Sequence, residues 1–236
     1  MKILLFLLAF CVFADFSAAE AVIPGKIRSY VNKIPRSDEN NLDTLVAYLT
    51  KPYNNDYDKA SAIAYWIASR INYDQYMYNK GKPTELLKQK RIAEEKNLED
   101  VQTQPDGDIL STRVGICSDY ANLFNRMAQT AGIQAGSVSG YISRNPKKPE
   151  VDNTENNRHV WNYFMHNGEK VYVDTTFMAT AGLGYTPRIT EKRRQESIEK
   201  WKKANAKKSV VKNVRDFYFD FKYEKERGKI HVEDQN

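Results

Sequence analysis

The chain has 236 residues, of which 41% are hydrophobic, so it is long enough for one domain with a sizeable core. Its net charge of +6 permits contact with an anionic surface but does not by itself specify nucleic acid. The sequence contains no internal repeat, no glycine-rich phosphate loop and no cluster of metal ligands. We therefore expect no cofactor, no metal and no nucleic-acid partner.

Residues 1–19 have the pattern of a secretory signal peptide. Lys2 precedes an apolar run from Ile3 to Ala14 that is too short to span a bilayer, and Ser17 to Ala19 supply the small residues of a cleavage site. We predict an exported protein, periplasmic or secreted. Residues 20–236 would then form a single domain without a transmembrane segment.

The cysteine content points to a reactive thiol. The chain contains two cysteines, Cys11 and Cys117, and the first lies inside the predicted signal peptide. A lipid anchor on Cys11 is disfavoured because the bulky Phe10 precedes it. Cleavage would therefore leave Cys117 alone. A single thiol in an oxidising compartment is a liability unless it reacts, is buried in a core or pairs with another chain.

Amphipathic helices are predicted ahead of this thiol. Apolar residues with helical spacing indicate a short helix over Ser37–Leu49 and a longer one capped by Asp56 or Asp58. The apolar positions of the longer helix lie between Ala60 and Ile71. Residues 98–108 are polar and rich in turn formers, which predicts a loop leading to Cys117.

The stretch Arg113–Gly132 predicts a helix that begins at Cys117. Its apolar residues recur with the spacing of one helix face: Tyr120, Ala121, Leu123, Phe124, Met127, Ala128 and Ala131. Unpaired backbone N–H groups and the positive end of the helix dipole favour a thiolate at such a position, as a nucleophile requires. The alternative is a small buried cysteine packed against Ala121 and Phe124.

Beyond Gly132 the pattern changes to that of strands. The runs Ile133–Ile142 and Arg158–Asp174 are rich in Val, Tyr, Phe and Trp, and the polar segment Ser143–Asn157 separates them. Within the second run, Asn167-Gly168 is a strong signal for a type I′ hairpin turn, because these residue types tolerate positive φ angles. The sequence thus predicts an α+β fold in which helices precede an antiparallel sheet.

The hairpin turn locates two polar side chains. If Asn167 and Gly168 form the loop, His159 and Asp174 share one face of the sheet and lie diagonally across the two strands. Their backbones would be roughly 7–8 Å apart, a gap that the side chains can close. A three-residue loop would shift the register by one and place the two residues on opposite faces.

Cys117, His159 and Asp174 have the roles of a nucleophile, a general base and the acid that orients the base. Taken singly, His159 could be a structural histidine and Asp174 a cap at a strand end. Their combination with a lone cysteine favours the catalytic interpretation. The other histidines fit less well, since His166 lies at the predicted hairpin tip and His231 in the polar tail.

Several motifs together resemble the core of the transglutaminase-like superfamily. They follow the order and spacing of that family: Gly115-Ile116-Cys117, Asp119-Tyr120-Ala121, Leu123-Phe124, Gly140-Tyr141, His159-Val160-Trp161-Asn162 and Val173-Asp174-Thr175-Thr176. Ala60–Tyr73 is similar to the preceding helix of bacterial and kyphoscoliosis-peptidase-like members, so the resemblance covers roughly residues 56–176. One departure is Thr175-Thr176, where many members have Pro-Thr.

The resemblance implies a papain-like α+β fold with the nucleophile on Cys117, the base on His159 and the orienting acid on Asp174. It also implies attack on a peptide or carboxamide carbonyl and a thioester intermediate. Water would release that thioester in a peptidase or amidase, and a lysine amine would release it in a cross-linking enzyme. We favour hydrolysis of a peptide or protein substrate, because the chain shows no extra domain and no acidic calcium cluster. The remaining alternative is a non-catalytic peptide-binding module.

The C-terminal part carries weaker signals. Arg188–Lys208 holds nine Lys or Arg residues and three Glu, with Ile198 and Trp201 at helical spacing, which predicts a basic helix. We favour a solvated face for this helix, and the alternative is a weak contact with an anionic envelope surface. The aromatic run Val210–Tyr223 predicts a last strand, so that the C-terminal helix and strand occupy residues 188–223. The polar tail after Glu224 is predicted to be mobile.

Overall fold

The computed structural model describes residues 23–74, 107–143, 158–180, 211–215, 218–221 and 230–234, with isolated positions in 145–157 and 192–204. The predicted signal peptide lies outside the described residues. Among the residues that are described, no helix combines the length and apolar character needed to cross a membrane.

Three helices form the N-terminal layer: α1 (Gly25–Val31), α2 (Leu42–Thr50) and α3 (Asp56–Arg70). A 3₁₀ turn, Arg36–Asn40, connects the first two. Helix α3 is central to the fold, since every residue from Ala60 to Arg70 is buried. This helix is therefore buried on all sides, as expected of a core helix.

Asparagines cap the second and third helices. The Oδ1 atom of Asn41 accepts the backbone N–H of Asp43 at 3.0 Å, and Oδ1 of Asn55 accepts that of Asp58 at 2.8 Å. The predicted helix over Ser37–Leu49 is therefore wrong at its start, and so are the carboxylate caps predicted for α3. Asp58 instead lies in the first turn of α3, where the helix dipole favours a negative charge.

The remaining elements follow in chain order: β1 (Asn72–Tyr73), α4 (Gly107–Thr112), β2 (Val114–Gly115), α5 (Cys117–Thr130), β3 (Ala135–Ser143), β4 (Arg158–His166), β5 (Glu169–Val173), α6 (Thr175–Thr180) and β6 (Ile230–Glu233). The loop predicted over residues 98–108 is wrong at its end, because α4 already begins at Gly107.

A short parallel ladder places the start of α5. Strands β1 and β2 pair with Tyr73 opposite Gly115, and the backbone N–H of Asp74 donates to the carbonyl of Gly115 at 2.8 Å. The Tyr120 hydroxyl on α5 donates to the carbonyl of Ile71, just after α3, at 2.6 Å. The end of the central helix thus fixes the position at which α5 begins.

The main sheet is antiparallel and has the strand order β5-β4-β3-β6. Asn167 and Gly168 have φ angles of 53° and 82°, and His166 pairs with Glu169, which confirms the predicted hairpin register. Helix α5 packs on β3 and β4 through buried apolar residues that include Phe124 and Phe164. The predicted α+β class, with the cysteine helix on an antiparallel sheet, is confirmed.

The C-terminal strand differs from the prediction. The described part of Val210–Tyr223 contributes only an isolated bridge, between Phe219 and Val173. Asp220 has a φ angle of +55°, so the backbone leaves the extended conformation directly after that bridge. The strand that joins the sheet is instead β6, and the predicted mobility of the tail is wrong for those residues.

The predicted basic helix is described only at some positions. Residues 192, 195, 196, 198–200, 203 and 204 are helical. The Ile198 side chain is buried, with 7% exposure, so this side of the segment faces the rest of the protein.

Gly140 on β3 lets β6 approach the sheet. A Cβ atom at this position would lie 2.7 Å from the Trp161 ring and closer still to the backbone oxygen of Val232. Gly140→Ala should therefore displace β6 and destabilise the protein by about 1–3 kcal/mol, the usual cost of overpacking. Hydrogen exchange of the β6 amides and denaturant unfolding would measure both effects.

Gly25→Ala is the matched control for this substitution. Nothing lies within 4 Å of a Cβ atom at Gly25, so the same change should leave β6 protected. Unchanged exchange in β6 of Gly140→Ala would contradict the role assigned to Gly140.

Candidate active site

Cys117 is the first residue of α5, and its side chain is half-buried. The backbone N–H of Ile116, just before it, donates to the Asp119 carboxylate at 2.8 Å and so caps the helix. The first N–H groups of an α-helix have no partner within the helix. The thiol therefore lies where backbone donors and the helix dipole favour a negative charge.

His159 and Asp174 are in direct contact. His159 lies on β4 and Asp174 directly follows β5, and His159 Nε2 is 2.7 Å from Asp174 Oδ2. Both residues are buried, and the imidazole stacks on the Phe177 ring with 4.7 Å between centroids. The second carboxylate oxygen, Oδ1, accepts the backbone N–H of Phe177 at 2.9 Å and thereby caps α6.

The electrostatics of the pair favour ionised side chains. Burial lowers the pKa of His159, but the charge and hydrogen bond of Asp174, and then those of Cys117, together raise that pKa to about 10. Burial likewise raises the pKa of Asp174, but His159 and then His231 hold it well below its usual range. The contacts with Asp174 and Cys117 thus favour the protonated form of His159. Because Asp174 occupies Nε2, the nitrogen left for Cys117 is Nδ1.

A second imidazole contacts the same carboxylate. His231 Nε2 on β6 is 2.8 Å from Asp174 Oδ2, and its side chain is 3% exposed. Sequence reasoning missed this residue, because a histidine in a polar tail carries no local sign of where its strand will pair. The structure therefore brings together the three predicted site residues and adds His231 to them.

Residues 43–175 match the sequence profile of the Transglutaminase-like superfamily, which is more than half of the chain. The chain belongs to this superfamily. The resemblance described above is therefore confirmed, and the matched region contains all three predicted site residues.

The chain is similar to individual proteins as well. It is 29% identical to the kyphoscoliosis peptidase of Homo sapiens over 167 residues, which cover 71% of this chain and 22% of that protein. The Mus musculus kyphoscoliosis peptidase is 29% identical over 154 residues, 65% of this chain and 20% of that protein. The chain thus spans about a fifth of the length of these relatives. The crystal structure of the TgpA periplasmic domain from Pseudomonas aeruginosa bound to ethylmercury gives 20% identity and a TM-score of 0.40, covering 69% of this chain and 52% of that one.

The cluster in this superfamily member has the donor types of a metal site. One ligand atom each from His159, Asp174 and His231 lie within 4.8 Å of one another. However, the two nitrogen–oxygen separations of 2.7 and 2.8 Å are hydrogen-bond lengths. Ligands of tetrahedral zinc, with bonds of about 2.0–2.1 Å, stand about 3.3 Å apart. The side chains are thus arranged as a hydrogen-bond network.

Asn162 belongs to the superfamily motif that begins at His159, but sequence reasoning gave it no role. It is 1% exposed, and its Nδ2 atom donates to the carbonyl oxygen of Ala121 on α5 at 3.0 Å. Ala121 lies one turn after Cys117. Asn162 therefore joins the cysteine helix to the strand that carries His159.

The ionised pair should make stability depend on pH. The pKa of His159 is about 6.5 in the unfolded chain and is raised to about 10 in the folded protein. Its contribution to the free energy of unfolding is therefore complete below about pH 6.5 and is lost as the pH rises towards 10. The folded pKa of Asp174 lies below its unfolded value of about 3.9, so its contribution is present above that pH and is lost in acid. The difference in unfolding free energy between wild type and Asp174→Asn should therefore be largest between about pH 4 and 6.5.

Denaturant unfolding at intervals from pH 3 to 9 would test this profile. The same series on Asp58→Asn, which changes a half-buried carboxylate in the first turn of α3, supplies the background. If the loss in unfolding free energy caused by Asp174→Asn stayed constant from pH 3 to 9, this would contradict a charged His159–Asp174 pair.

Proposed function

We propose that this chain is a thiol enzyme in which Cys117, His159 and Asp174 act on peptide or protein amide bonds. The supporting observation is that Asp174 lies 2.7 Å from the buried His159 ring, which also interacts with Cys117 at the start of α5, and these contacts raise the pKa of His159. A protonated imidazole beside a thiol at neutral pH is the partner that a nucleophilic thiolate needs. Asp174 holds the imidazole by Nε2 and keeps Nδ1 directed to the sulfur.

In the proposed first step, the Cys117 sulfur attacks the carbonyl carbon and forms a C–S bond. The Cys117 backbone N–H at the start of α5 stabilises the resulting oxyanion. His159 gives its Nδ1 proton to the nitrogen of the leaving amine, the C–N bond breaks, and a thioester remains. In the second step, neutral His159 takes a proton from water, which attacks the thioester and releases the acid and the thiolate.

The molecule that accepts the acyl group from the thioester decides the reaction class, and we propose that this acceptor is water. The names of the human and mouse relatives describe peptidases, which supports hydrolysis. A lysine amine in place of water would give an isopeptide cross-link with release of ammonia from glutamine. The chemistry at Cys117 is the same in both cases.

One experiment separates these reactions. The protein is incubated with unfolded protein and peptide substrates, and new amine termini, ammonia and cross-linked species are measured together, with Cys117→Ala as the blank. Hydrolysis of peptide bonds predicts new amine termini without cross-links. Release of ammonia together with cross-linked species would indicate acyl transfer instead of hydrolysis. Substrate binding without any product would favour a non-catalytic module.

We also propose that the enzyme is exported and that residues 20–236 form a single domain. The support is the sequence pattern of residues 1–19. Mass spectrometry of the mature protein should find an N-terminus near Glu20, and a chain that keeps Met1 would contradict export. The basic segment Arg188–Lys208 is a proposed weak contact with an anionic envelope surface.

A further inference from the structure

We propose that His231 is a positioning residue, which holds the Asp174 carboxylate for His159 and makes the docking of β6 a condition for an activated Cys117. This inference rests on the proposed function of the same site. It assigns a role to a C-terminal strand that lies outside the region matched by the superfamily profile.

The contacts of Asp174 explain why a second imidazole matters. Oδ1 accepts the Phe177 N–H at 2.9 Å, whereas Oδ2 lies 2.7 Å from His159 and 2.8 Å from His231. Without His231, His159 would be the one remaining side-chain partner of Oδ2 among the residues that the structure describes. The contacts with Phe177 on α6 and His231 on β6 restrict rotation of the Asp174 carboxylate. They thereby fix the direction of the His159 ring.

The His231 ring is itself held in place by aromatic side chains. It stacks on Phe221 with 4.4 Å between centroids and meets the edge of Trp161 at 4.8 Å. The Phe177 ring, which also stacks on His159, lies 5.4 Å away. A ring packed in this way loses little further entropy when it hydrogen-bonds to Asp174.

His231 reaches Asp174 because β6 is paired with β3. In this ladder Ile142 lies opposite His231, and the missing side chain at Gly140 leaves room for the Val232 backbone. Beyond the strand, Asp234 forms an ion pair with Arg158 on β4. Undocking β6 would therefore withdraw the second imidazole from the carboxylate.

The ionisable groups around β6 set the electrostatic surroundings of His231. At the site these are Asp174 and His159, whose imidazole centroid lies 5.8 Å from that of His231. Farther along the strand, Glu233 hydrogen-bonds to Tyr172 on β5. The acid–base state of the cluster is thus governed by the shared carboxylate.

The test measures alkylation of Cys117 by iodoacetamide in the full chain, read on the peptide that contains this residue, at pH 6 and pH 9, with EDTA and in parallel without it. His231→Phe keeps the aromatic packing but removes the N–H donor, and His231→Gln restores a donor of similar reach. His166→Phe is the matched control, because His166 is the last residue of β4 and contacts Tyr57 instead of Asp174.

His231→Phe should lower the ratio of the pH 6 rate to the pH 9 rate by about 10-fold or more, the size expected for losing a hydrogen bond to a charged group. His231→Gln should recover most of the ratio, and His166→Phe should keep the wild-type value. A merely structural role for His231 would lower stability but leave the ratio of the folded protein unchanged. Thermal unfolding of each variant establishes that the folded state is being measured.

Two results for the His231 variants would overturn this inference and leave the proposed function standing. One is a wild-type ratio in folded His231→Phe, and the other is a His231 dependence that appears only when EDTA is left out, which would make the cluster a metal site. If His231→Phe does not fold, Gly140→Ala gives the second test, because it displaces β6 and keeps His231. A wild-type ratio in Gly140→Ala with exchanging β6 amides would also overturn it. Slow alkylation of wild type at pH 6 would instead overturn the proposed function itself.

Discussion

Replacing Cys117 with alanine is expected to lower the turnover of an amide substrate by on the order of 10⁴-fold or more, because the covalent route is lost and only binding and oxyanion stabilisation remain. The side chain is half-buried at the first position of α5, so removal of the sulfur should leave the packing of the helix intact. Measured kcat/KM, together with circular dichroism of the folded variant, tests this expectation.

Ser118→Ala is the matched control for Cys117→Ala. Ser118 is the next residue in the same turn of α5 and is also half-buried, so its variant should retain activity near that of wild type. Wild-type turnover in Cys117→Ala would exclude a thiol mechanism. Substrate binding that survives in Cys117→Ala with turnover lost is the outcome that the mechanism requires.

Asp174→Asn should be the second most damaging change, lowering kcat/KM by roughly 10³- to 10⁴-fold, the size seen when the orienting acid of a catalytic triad is neutralised. The asparagine oxygen can still accept the Phe177 N–H that caps α6. Its NH₂ group then faces His159, which must accept at Nε2 and carry its proton on Nδ1. In that tautomer His159 cannot take the proton of Cys117.

Asp58→Asn makes the same chemical change in the first turn of α3 and should leave kcat/KM close to that of wild type. The pH profile of Cys117 alkylation distinguishes a chemical effect from a folding effect. In the folded Asp174→Asn protein, alkylation near pH 6 should be slowed more than alkylation at higher pH. Activity within a few-fold of wild type in Asp174→Asn would remove Asp174 from the mechanism.

The parts of the site that local sequence encodes could be predicted. The helix that begins at Cys117 follows from the helical spacing of apolar residues such as Tyr120 and Phe124, both of which are buried. The contact between His159 and Asp174 follows from a single turn, Asn167-Gly168, because side chains alternate along a strand and one register fixes every cross-strand pair.

The contribution of His231 could not be predicted, because nothing local specifies its partner. Strand β6 has only four residues and lies at the edge of the sheet, opposite β3. Its pairing depends on room beside Gly140, a position nearly a hundred residues earlier in the chain. Apolar and polar residues alternate over Ile230–Glu233, but a run of four residues is too short to identify a strand or its partner.

The aromatic run Val210–Tyr223 misled the prediction for a different reason. Its composition is that of a strand, and Tyr218 and Phe219 are indeed buried in the core. However, the positive φ angle of Asp220 interrupts the extended backbone after the bridge to Val173. Farther back in the run, the backbone N–H groups of Lys212 and Arg215 donate to carbonyl oxygens on α3 and α6 instead of to a strand. Composition therefore predicted burial correctly and backbone pairing incorrectly.

The central proposal is that His159 activates Cys117 as a nucleophile, and the rate at which this thiol is alkylated near pH 6 tests it most directly. An ordinary thiol, with a pKa of about 8.5, is largely protonated at that pH and reacts slowly. We predict rapid modification of wild-type Cys117 by iodoacetamide, read by intact mass, and slow modification after His159→Gln in a protein that remains folded. A wild-type Cys117 that resists iodoacetamide at every pH until the protein unfolds would contradict the account.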